Sequence, residues 1–246
     1  MDNSSISLDE LVSEAKLAMK KNQYFILPGA YSQSYCDKVC KQMDVFKKGP
    51  GVEFNYENTE VRAWSSQKRS AEINQFFLDA NNIITRITGK ESQAGTVLAI
   101  KNTPLISDDD VNLNNRWHID SWRSQLKVFL FLSDTSEESG AFEFIPNTNK
   151  LSFRVRQALR PNFFFDIRTI FNKKLGKPYQ KISDEKIKSV LSRGYKAKTV
   201  LVPSGTLMII NPSYLIHRAR PCLNGSRYAL TSYFDVKEGY HDYQIE

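Results

Sequence analysis

The part of the chain after Gly95 constrains the fold most, because it is a series of short β-rich runs. Each run is rich in β-branched and aromatic residues, and turn residues such as Ser139-Gly140 and Asn224-Gly225 separate successive runs. Many short strands at this spacing predict an antiparallel sandwich or barrel. The predicted strands span residues 96–101, 126–132, 141–146, 198–202, 206–211 and 227–236.

The region before residue 95 has a helical pattern instead. Leu8, Leu11 and Ala15 recur at the spacing of one helix face, and Ser7 is suitably placed to cap that helix. A short strand is expected at 24–27, before the turn signal Pro28-Gly29. We therefore expect a mainly β fold with flanking helices that cover one side of a sheet, the helices spanning residues 7–22, 34–46 and 71–88.

A chain of 246 residues suits one large domain, since β-barrels and sandwiches often run to roughly 200–250 residues. Within it we expect a helical N-terminal support with an early strand at 1–94 and a β core at 95–150 and 196–238. Residues 151–195 interrupt the strand pattern, with a helix expected at 183–192, and we interpret them as a basic, lid-like insertion between two core strands.

The bulk composition predicts a reduced, cytoplasmic protein without a membrane span. Residues 1–25 are polar and charged, with no apolar stretch of the length that an export signal requires. Three cysteines in so long a chain do not suggest a disulfide framework. Cys36 and Cys40 lie one helical turn apart, which is typical of two half-buried thiols on one helix face, although a redox or metal pair would have the same spacing.

The chemistry of the chain is concentrated in Trp117-His118-Ile119-Asp120. On an extended strand, residues two apart project from the same face, so His118 and Asp120 can reach one metal ion together. A third ligand must come from elsewhere, and His217 follows a strongly apolar predicted strand. Two imidazoles and one carboxylate on one side of a metal leave three coordination positions open, which is the arrangement of non-haem Fe(II) oxygenases.

Arg227 makes this interpretation more specific than the metal ligands alone can. It lies ten residues after His217, at the start of the predicted strand at 227–236. A guanidinium there could form a bidentate ion pair with the far carboxylate of a dicarboxylic acid. If the near end of that acid is a 2-oxo acid, it can chelate the iron, so the four residues together predict a 2-oxoglutarate site.

At these residues the sequence resembles the phytanoyl-CoA dioxygenase-like family of Fe(II)/2-oxoglutarate-dependent oxygenases. The resemblance covers most of the chain except residues 151–195, and it implies a double-stranded β-helix, or jelly-roll, core. It assigns Fe(II) to His118, Asp120 and His217, and the far carboxylate of 2-oxoglutarate to Arg227. The similar stretches are 24–29, 117–120, 126–134, 138–146, 205–210, 217–221 and 227–234.

The resemblance also implies further cosubstrate contacts and a reaction. Arg62 matches a basic residue of an early strand that assists Arg227, while Leu98 and Phe129 match positions that wall the cosubstrate. O₂ would be the oxidant, succinate and CO₂ would be released, and the intact carboxylate of Asp120 favours hydroxylation over halogenation. Ala219 is a departure, because many members carry a hydroxyl residue two positions after the distal histidine.

The basic insertion is the best indication of the substrate. Residues 150–198 contain 14 Lys and Arg against 3 Asp and Glu, so this segment carries +11 in a chain whose net charge is +7. Such a segment predicts a small-molecule partner that is anionic or carrier-tethered, bearing phosphate, a nucleotide or CoA. A solvated lid surface that balances the acidic remainder explains the same charge. The insertion interleaves aromatic residues with the basic residues Arg154, Arg156, Arg160, Arg168, Lys173, Lys174, Lys177 and Lys181.

Several alternatives remain open at this level. Nucleic acid is disfavoured as a substrate, because the nucleic-acid dealkylating relatives carry a second arginine where this chain has Tyr233. A non-enzymatic jelly-roll or cupin protein with a metal site is one alternative, and a metal enzyme that does not turn over 2-oxoglutarate is another. Trp117 and Trp122 flank the metal motif and fit either a substrate pocket or core packing, and His241 is expected at the surface.

Overall fold

The computed structural model describes residues 8–91, 94–105, 115–120, 125–158 and 180–235. Its strands are β1 (Tyr24–Leu27), β2 (Val52–Asn55), β3 (Glu60–Ala63), β4 (Val97–Asn102), β5 (His118–Ile119), β6 (Gln125–Phe131), β7 (Phe142–Ile145), β8 (Gln180–Lys181), β9 (Lys198–Thr199), β10 (Thr206–Ile210), β11 (Ile216–Ala219) and β12 (Arg227–Asp235). Its helices are α1 (Leu8–Asn22), α2 (Gln33–Asp44), α3 (Ala71–Thr88), α4 (Leu151–Ala158) and α5 (Asp184–Leu191), with a 3-10 turn at Ser66–Lys68.

Two antiparallel sheets form the core. The larger has the strand order β1-β10-β6-β12-β4-β3-β2, and the smaller has the order β8-β5-β11-β7-β9. Strands that are adjacent in a sheet are therefore mostly distant in sequence, as in the jelly-roll arrangement expected from the resemblance. The mainly β fold with flanking helices is confirmed.

The helices α1, α2 and α3 cover the outer face of the larger sheet. One set of alternating residues on each central strand, such as Val128 and Leu130 on β6, packs against buried apolar residues of these helices, such as Val39 and Phe76. Ser70 caps α3 through a hydrogen bond from the Ile73 amide, which satisfies one of the free N–H groups at the helix start.

The opposite set of alternating residues faces the barrel interior, because successive side chains of a strand project to opposite faces. On β6 this inner set is Lys127, Phe129 and Phe131, and the two phenylalanines pack with Phe142 and Phe144 of the smaller sheet. This interior is where the two sheets meet, and it contains the predicted site residues.

The ends of the basic insertion pack on the outer face of the smaller sheet. Phe153 of α4 and Ile187 of α5 join a buried cluster with Trp117, Ile119 and Ile216. Trp117 is therefore a packing residue of this outer face, where the Arg218 guanidinium lies 4.6 Å from its ring centre.

Most of the predicted elements are confirmed, with differences at their ends. The helix expected at 34–46 is Gln33–Asp44 and begins one residue earlier because Ser32 caps it. The strand expected at 198–202 contains only Lys198–Thr199, and β2 (Val52–Asn55) was not predicted. Ser7, Trp122, His241 and residues 159–179 of the insertion lie outside the described residues. No helix in the described part of the chain is long and apolar enough to cross a membrane.

Candidate metal centre and cosubstrate site

His118, Asp120 and His217 converge at one point of the barrel interior. Strand β5 pairs with β11 so that His118 lies directly opposite His217, and Asp120 follows β5 by one residue. The two imidazole rings have their centres 4.3 Å apart, and the ligand atoms of all three residues lie within 4.8 Å of one another. The three residues predicted from the sequence are therefore brought together on adjacent strands of the smaller sheet.

The hydrogen bonds of the two histidines orient both rings towards this point. Nδ1 of His118 lies 2.7 Å from the carbonyl oxygen of Arg116, and Nδ1 of His217 lies 2.9 Å from that of Leu215. A carbonyl oxygen can only accept, so each Nδ1 carries the proton and each Nε2 presents a lone pair. Ligating histidines in metalloproteins are typically fixed in this way.

The Nε2 atoms of both histidines lie 3.2 Å from the same oxygen of Asp120. Nε2 of His217 is buried and has no hydrogen-bond partner among the described residues. Two lone pairs facing one carboxylate oxygen repel each other unless a cation lies among them. The donor set therefore fits a divalent metal ion such as Fe(II), which two imidazoles and a carboxylate on one side suit.

The electrostatics of Asp120 and His217 favour the forms of these two side chains that bind metal. Burial would raise the pKa of Asp120, but nearby positive charge, above all the Lys127 ammonium, outweighs it and holds that pKa well below its usual range. Burial and the neighbouring His118 lower the pKa of His217. The carboxylate is thus ionised and the His217 imidazole is neutral at neutral pH, as metal ligation requires.

Lys127 is a site residue that the sequence analysis missed. It lies on the inner face of β6, is buried, and places its Nζ 3.4 Å from the second carboxylate oxygen of Asp120. The ammonium also lies over the rings of Phe129 and Tyr233, at 4.7 and 4.4 Å from their centres. A lysine within the otherwise apolar run at 126–132 was the available signal.

Arg227 lies at the other end of the same interior. It begins β12 opposite Asn102 of β4, donates to the Asn102 side-chain oxygen at 2.6 Å, and donates to the carbonyl oxygen of Gly140. Burial lowers its pKa, and among the described residues no carboxylate pairs with it directly. A half-buried guanidinium without a directly paired carboxylate is well suited to donate hydrogen bonds to a bound anion.

Arg62 is connected to Arg227 through buried polar side chains. Nε of Arg62 donates to Glu60 at 2.8 Å, and the other oxygen of Glu60 accepts from Asn102 at 3.2 Å. Asn102 then accepts from Arg227, so the two arginines share one buried carboxylate. This cluster carries two positive charges against one negative charge, which leaves one positive charge for the far carboxylate of a bound dicarboxylic acid.

Leu98 and Phe129 lie on the inner face between the metal ligands and Arg227. Both are buried, and both stand opposite Thr231 of β12, from β4 and β6 respectively. The Phe129 ring packs 5.2 Å from Phe142, and Phe142 lies 5.3 Å from the His217 ring. The wall that runs from the histidines towards Arg227 is therefore apolar, as expected for a dry pocket.

Solved structures of non-haem 2-oxoglutarate enzymes share this fold. The chain matches the epimerase SnoN, solved with Fe³⁺, alpha-ketoglutarate and nogalamycin RO, at 10% identity and a TM-score of 0.61 over 92% of this chain and 84% of that one. HygX from Streptomyces hygroscopicus, solved with nickel and 2-oxoglutarate, matches at 12% identity and a TM-score of 0.58 over 90% and 86%. The carbocyclase SnoK from nogalamycin biosynthesis matches at 13% identity and a TM-score of 0.58, over 94% of this chain and 87% of that one.

The comparison with curated proteins finds no match. One family model does match, the phytanoyl-CoA dioxygenase (PhyH) model, over residues 19–228. This range covers most of the chain and includes the three candidate ligands and Arg227. Together with the jelly-roll core, this match establishes that the chain belongs to the phytanoyl-CoA dioxygenase family, whose members use Fe(II), 2-oxoglutarate and O₂.

Proposed function

We propose that this protein hydroxylates a small anionic or carrier-tethered metabolite, with His118, Asp120 and His217 as its iron ligands. The observation that carries the proposal is that both Nε2 atoms lie 3.2 Å from one oxygen of Asp120, while each Nδ1 is within hydrogen-bond distance of a carbonyl oxygen. Arg227, assisted by Arg62, is proposed to bind the far carboxylate of 2-oxoglutarate. A cytoplasmic location, which the cysteine content favours, belongs to the same proposal.

The chain contributes binding, orientation and exclusion of water. Fe(II), 2-oxoglutarate and O₂ supply the oxidising chemistry, in which 2-oxoglutarate is converted to succinate and CO₂. Arg227 sets how far the bound cosubstrate extends from the metal ligands, because its guanidinium is at the opposite end of the interior. Phe129, Phe142 and Leu98 keep the space between them apolar, which strengthens each charged contact inside it.

An anionic substrate is favoured by the position of Lys181. This lysine belongs to the basic insertion, and strand β8 places it directly opposite His118 of β5. Directly opposite residues of an antiparallel pair project to the same face, so Lys181 lies on the same side as the metal ligands. Its side chain is exposed, which suits a cation that meets a substrate at the edge of the site. Phosphate, nucleotide or CoA groups would all supply the complementary charge.

The proposed activity is tested by succinate release. We expect the purified protein to produce succinate from 2-oxoglutarate with Fe(II), ascorbate and O₂, slowly without substrate and faster with it. The His217→Ala variant should lose this turnover, because two ligands hold the metal poorly. Absence of succinate from the wild-type protein, together with no 2-oxoglutarate binding by calorimetry, would contradict the proposal and leave the metal-binding jelly-roll alternative.

The substrate class is tested separately with simple anions. We expect at least one of pyrophosphate, a nucleoside diphosphate or CoA to raise the melting temperature of the protein loaded with Mn(II) and 2-oxoglutarate. The Lys181→Glu variant should lose that shift, whereas Lys196→Glu, at an exposed lysine of the same basic segment 150–198, should keep it. If no anion stabilises the protein, or if both variants behave like the wild type, the anionic substrate class is wrong.

A further inference from the structure

One buried hydroxyl group in the barrel interior has no explanation in the packing of the protein. Thr231 lies in the middle of β12 and is fully buried, and its Oγ1 has no hydrogen-bond partner among the described residues. Leaving a buried hydroxyl unsatisfied is destabilising, and for a hydroxyl that faces a ligand pocket the missing partner can be the ligand.

The position of Thr231 places this hydroxyl between the two ends of the candidate cosubstrate site. Residues of a strand that are two apart share a face, so Thr231 shares the inner face of β12 with Arg227 and Tyr233. Tyr233 stands opposite Lys127, whose ammonium contacts the metal-ligand carboxylate, and Arg227 stands at the far end. Thr231 therefore lies between the metal ligands and Arg227 along β12, and it pairs with Leu98 of β4 on one side and with Phe129 of β6 on the other.

The residues around Thr231 leave this stretch of the interior short of hydrogen-bond donors. Leu98 and Phe129 flank it on the neighbouring strands, and Ala229 is the next inner residue towards Arg227. On the facing sheet, Ala219 follows His217 on the inner side of β11 and offers only a methyl group. Among the described residues of β12, Thr231 offers the side-chain donor nearest to this stretch of the interior. A carboxylate or keto oxygen bound there could therefore accept a hydrogen bond from Thr231.

We propose that the Thr231 hydroxyl donates a hydrogen bond to 2-oxoglutarate and acts as a binding residue for the cosubstrate between the metal ion and Arg227. This inference rests on the proposed function, because it requires 2-oxoglutarate to lie along the inner face of β12. It explains why a polar side chain is retained at a fully buried position, where valine has the same shape and would leave no unsatisfied hydroxyl.

Ser232 provides a matched control on the same strand. Its hydroxyl is also fully buried and also lacks a partner among the described residues. However, it projects to the opposite face of β12, where Leu230 and Phe234 pack against the helices. A substitution at Ser232 removes a buried hydroxyl of the same kind without reaching the interior, so it separates loss of a cosubstrate contact from general loss of packing.

The test is calorimetric titration of 2-oxoglutarate into the Mn(II)-loaded protein, with Mn(II) affinity measured in parallel. We expect Thr231→Val to weaken 2-oxoglutarate binding about tenfold, or about 1.4 kcal/mol. Its melting temperature without 2-oxoglutarate should equal or exceed that of the wild type, because valine leaves no unsatisfied hydroxyl, and its Mn(II) affinity should be unchanged. Thr231→Ser should retain wild-type affinity, and Ser232→Ala should bind like the wild type. Adding a hydroxyl on the facing strand, as Ala219→Ser in the Thr231→Val background, should recover part of the loss.

The outcomes that contradict the inference are distinct from those that contradict the proposed function. If the wild-type protein binds 2-oxoglutarate and Thr231→Val binds it equally well, Thr231 has no role in binding and the inference is wrong. If Thr231→Val and Ser232→Ala weaken binding equally, the effect is structural and the inference is also wrong. If the Mn(II)-loaded wild type does not bind 2-oxoglutarate at all, the proposed function fails and the inference fails with it.

Discussion

At the scale of single residues, the candidate metal centre depends on the hydrogen bond that the Nδ1 atom of each histidine makes. The bonds from Nδ1 of His118 and His217 to backbone carbonyls fix both rings before any metal binds, so little ordering remains to be done on binding. The metal motif and Arg227 could be predicted from their types and spacing. Lys127 and the cluster of Glu60, Asn102 and the two arginines could not, because their contacts depend on which distant strands lie side by side.

Lys127 should influence how readily His217 takes up a proton. Its ammonium is one of the groups that lower the pKa of both His217 and Asp120. Replacing it with methionine removes a positive charge, so protonation becomes easier and the pKa of His217 should rise. We expect NMR titration of the metal-free protein to show this rise in Lys127→Met, with the imidazole charged at a higher pH than in the wild type.

Lys127→Arg is the control for this measurement, because it keeps the charge on the same strand. It should titrate close to the wild type. A His217 pKa that is unchanged or lower in Lys127→Met would show that the ammonium does not act on the metal ligands through its charge.

At the scale of elements, the fold brings the ligands together through strand pairs that are remote in sequence. Strand β11 lies between β5 and β7, so one pairing sets His118 opposite His217 and the other places Phe142 beside Ala219. The strands and helices themselves could be predicted, since alternation and helical spacing are local. The length of β9 was overestimated, because residues 200–202 are partly apolar but have no ladder partner among the described strands. The Val200 amide instead donates to the Phe142 carbonyl oxygen as the chain leaves the sheet.

The turn before β10 depends on the absence of a side chain at Gly205. This residue has a φ of +77°, and its backbone bonds both Tyr31 and Phe131, so it joins the segment before α2 to the central strands. A Cβ at Gly205 would overlap the carbonyl oxygen of Tyr31. We therefore expect Gly205→Ala to lower the free energy of unfolding by about 2–5 kcal/mol in urea denaturation, from strain at positive φ plus overpacking.

Gly225 is the matched control for that substitution. It has a φ of +74°, but a Cβ there would meet nothing within 4 Å. Gly225→Ala should therefore cost only the backbone strain, about 1–2 kcal/mol. Equal losses at the two glycines would mean that the close approach of Gly205 to Tyr31 is unimportant for stability.

At the scale of the whole molecule, the barrel interior has two charged ends. One end holds the Asp120 carboxylate with the two histidines and the Lys127 ammonium beside it, and the other holds the surplus positive charge around Arg227. The chain matches structures such as SnoN over 92% of its length at 10% identity, so the fold survives although most residues differ. The family model therefore identifies the family, and the interior charges indicate where Fe(II) and 2-oxoglutarate would bind.

The most direct measurement is the dependence of 2-oxoglutarate affinity on metal, determined by calorimetry with and without Mn(II). If the metal ion and 2-oxoglutarate share one interior, the metal and Arg227 both contribute to the binding of 2-oxoglutarate. The wild-type protein should then bind 2-oxoglutarate at least tenfold more tightly with Mn(II) than without it, which is a coupling of about 1.4 kcal/mol. His217→Ala should lose this coupling, and Arg227→Met should weaken binding in the presence of the metal. Metal-independent binding of 2-oxoglutarate, or none at all, would contradict a shared site between the three ligands and Arg227.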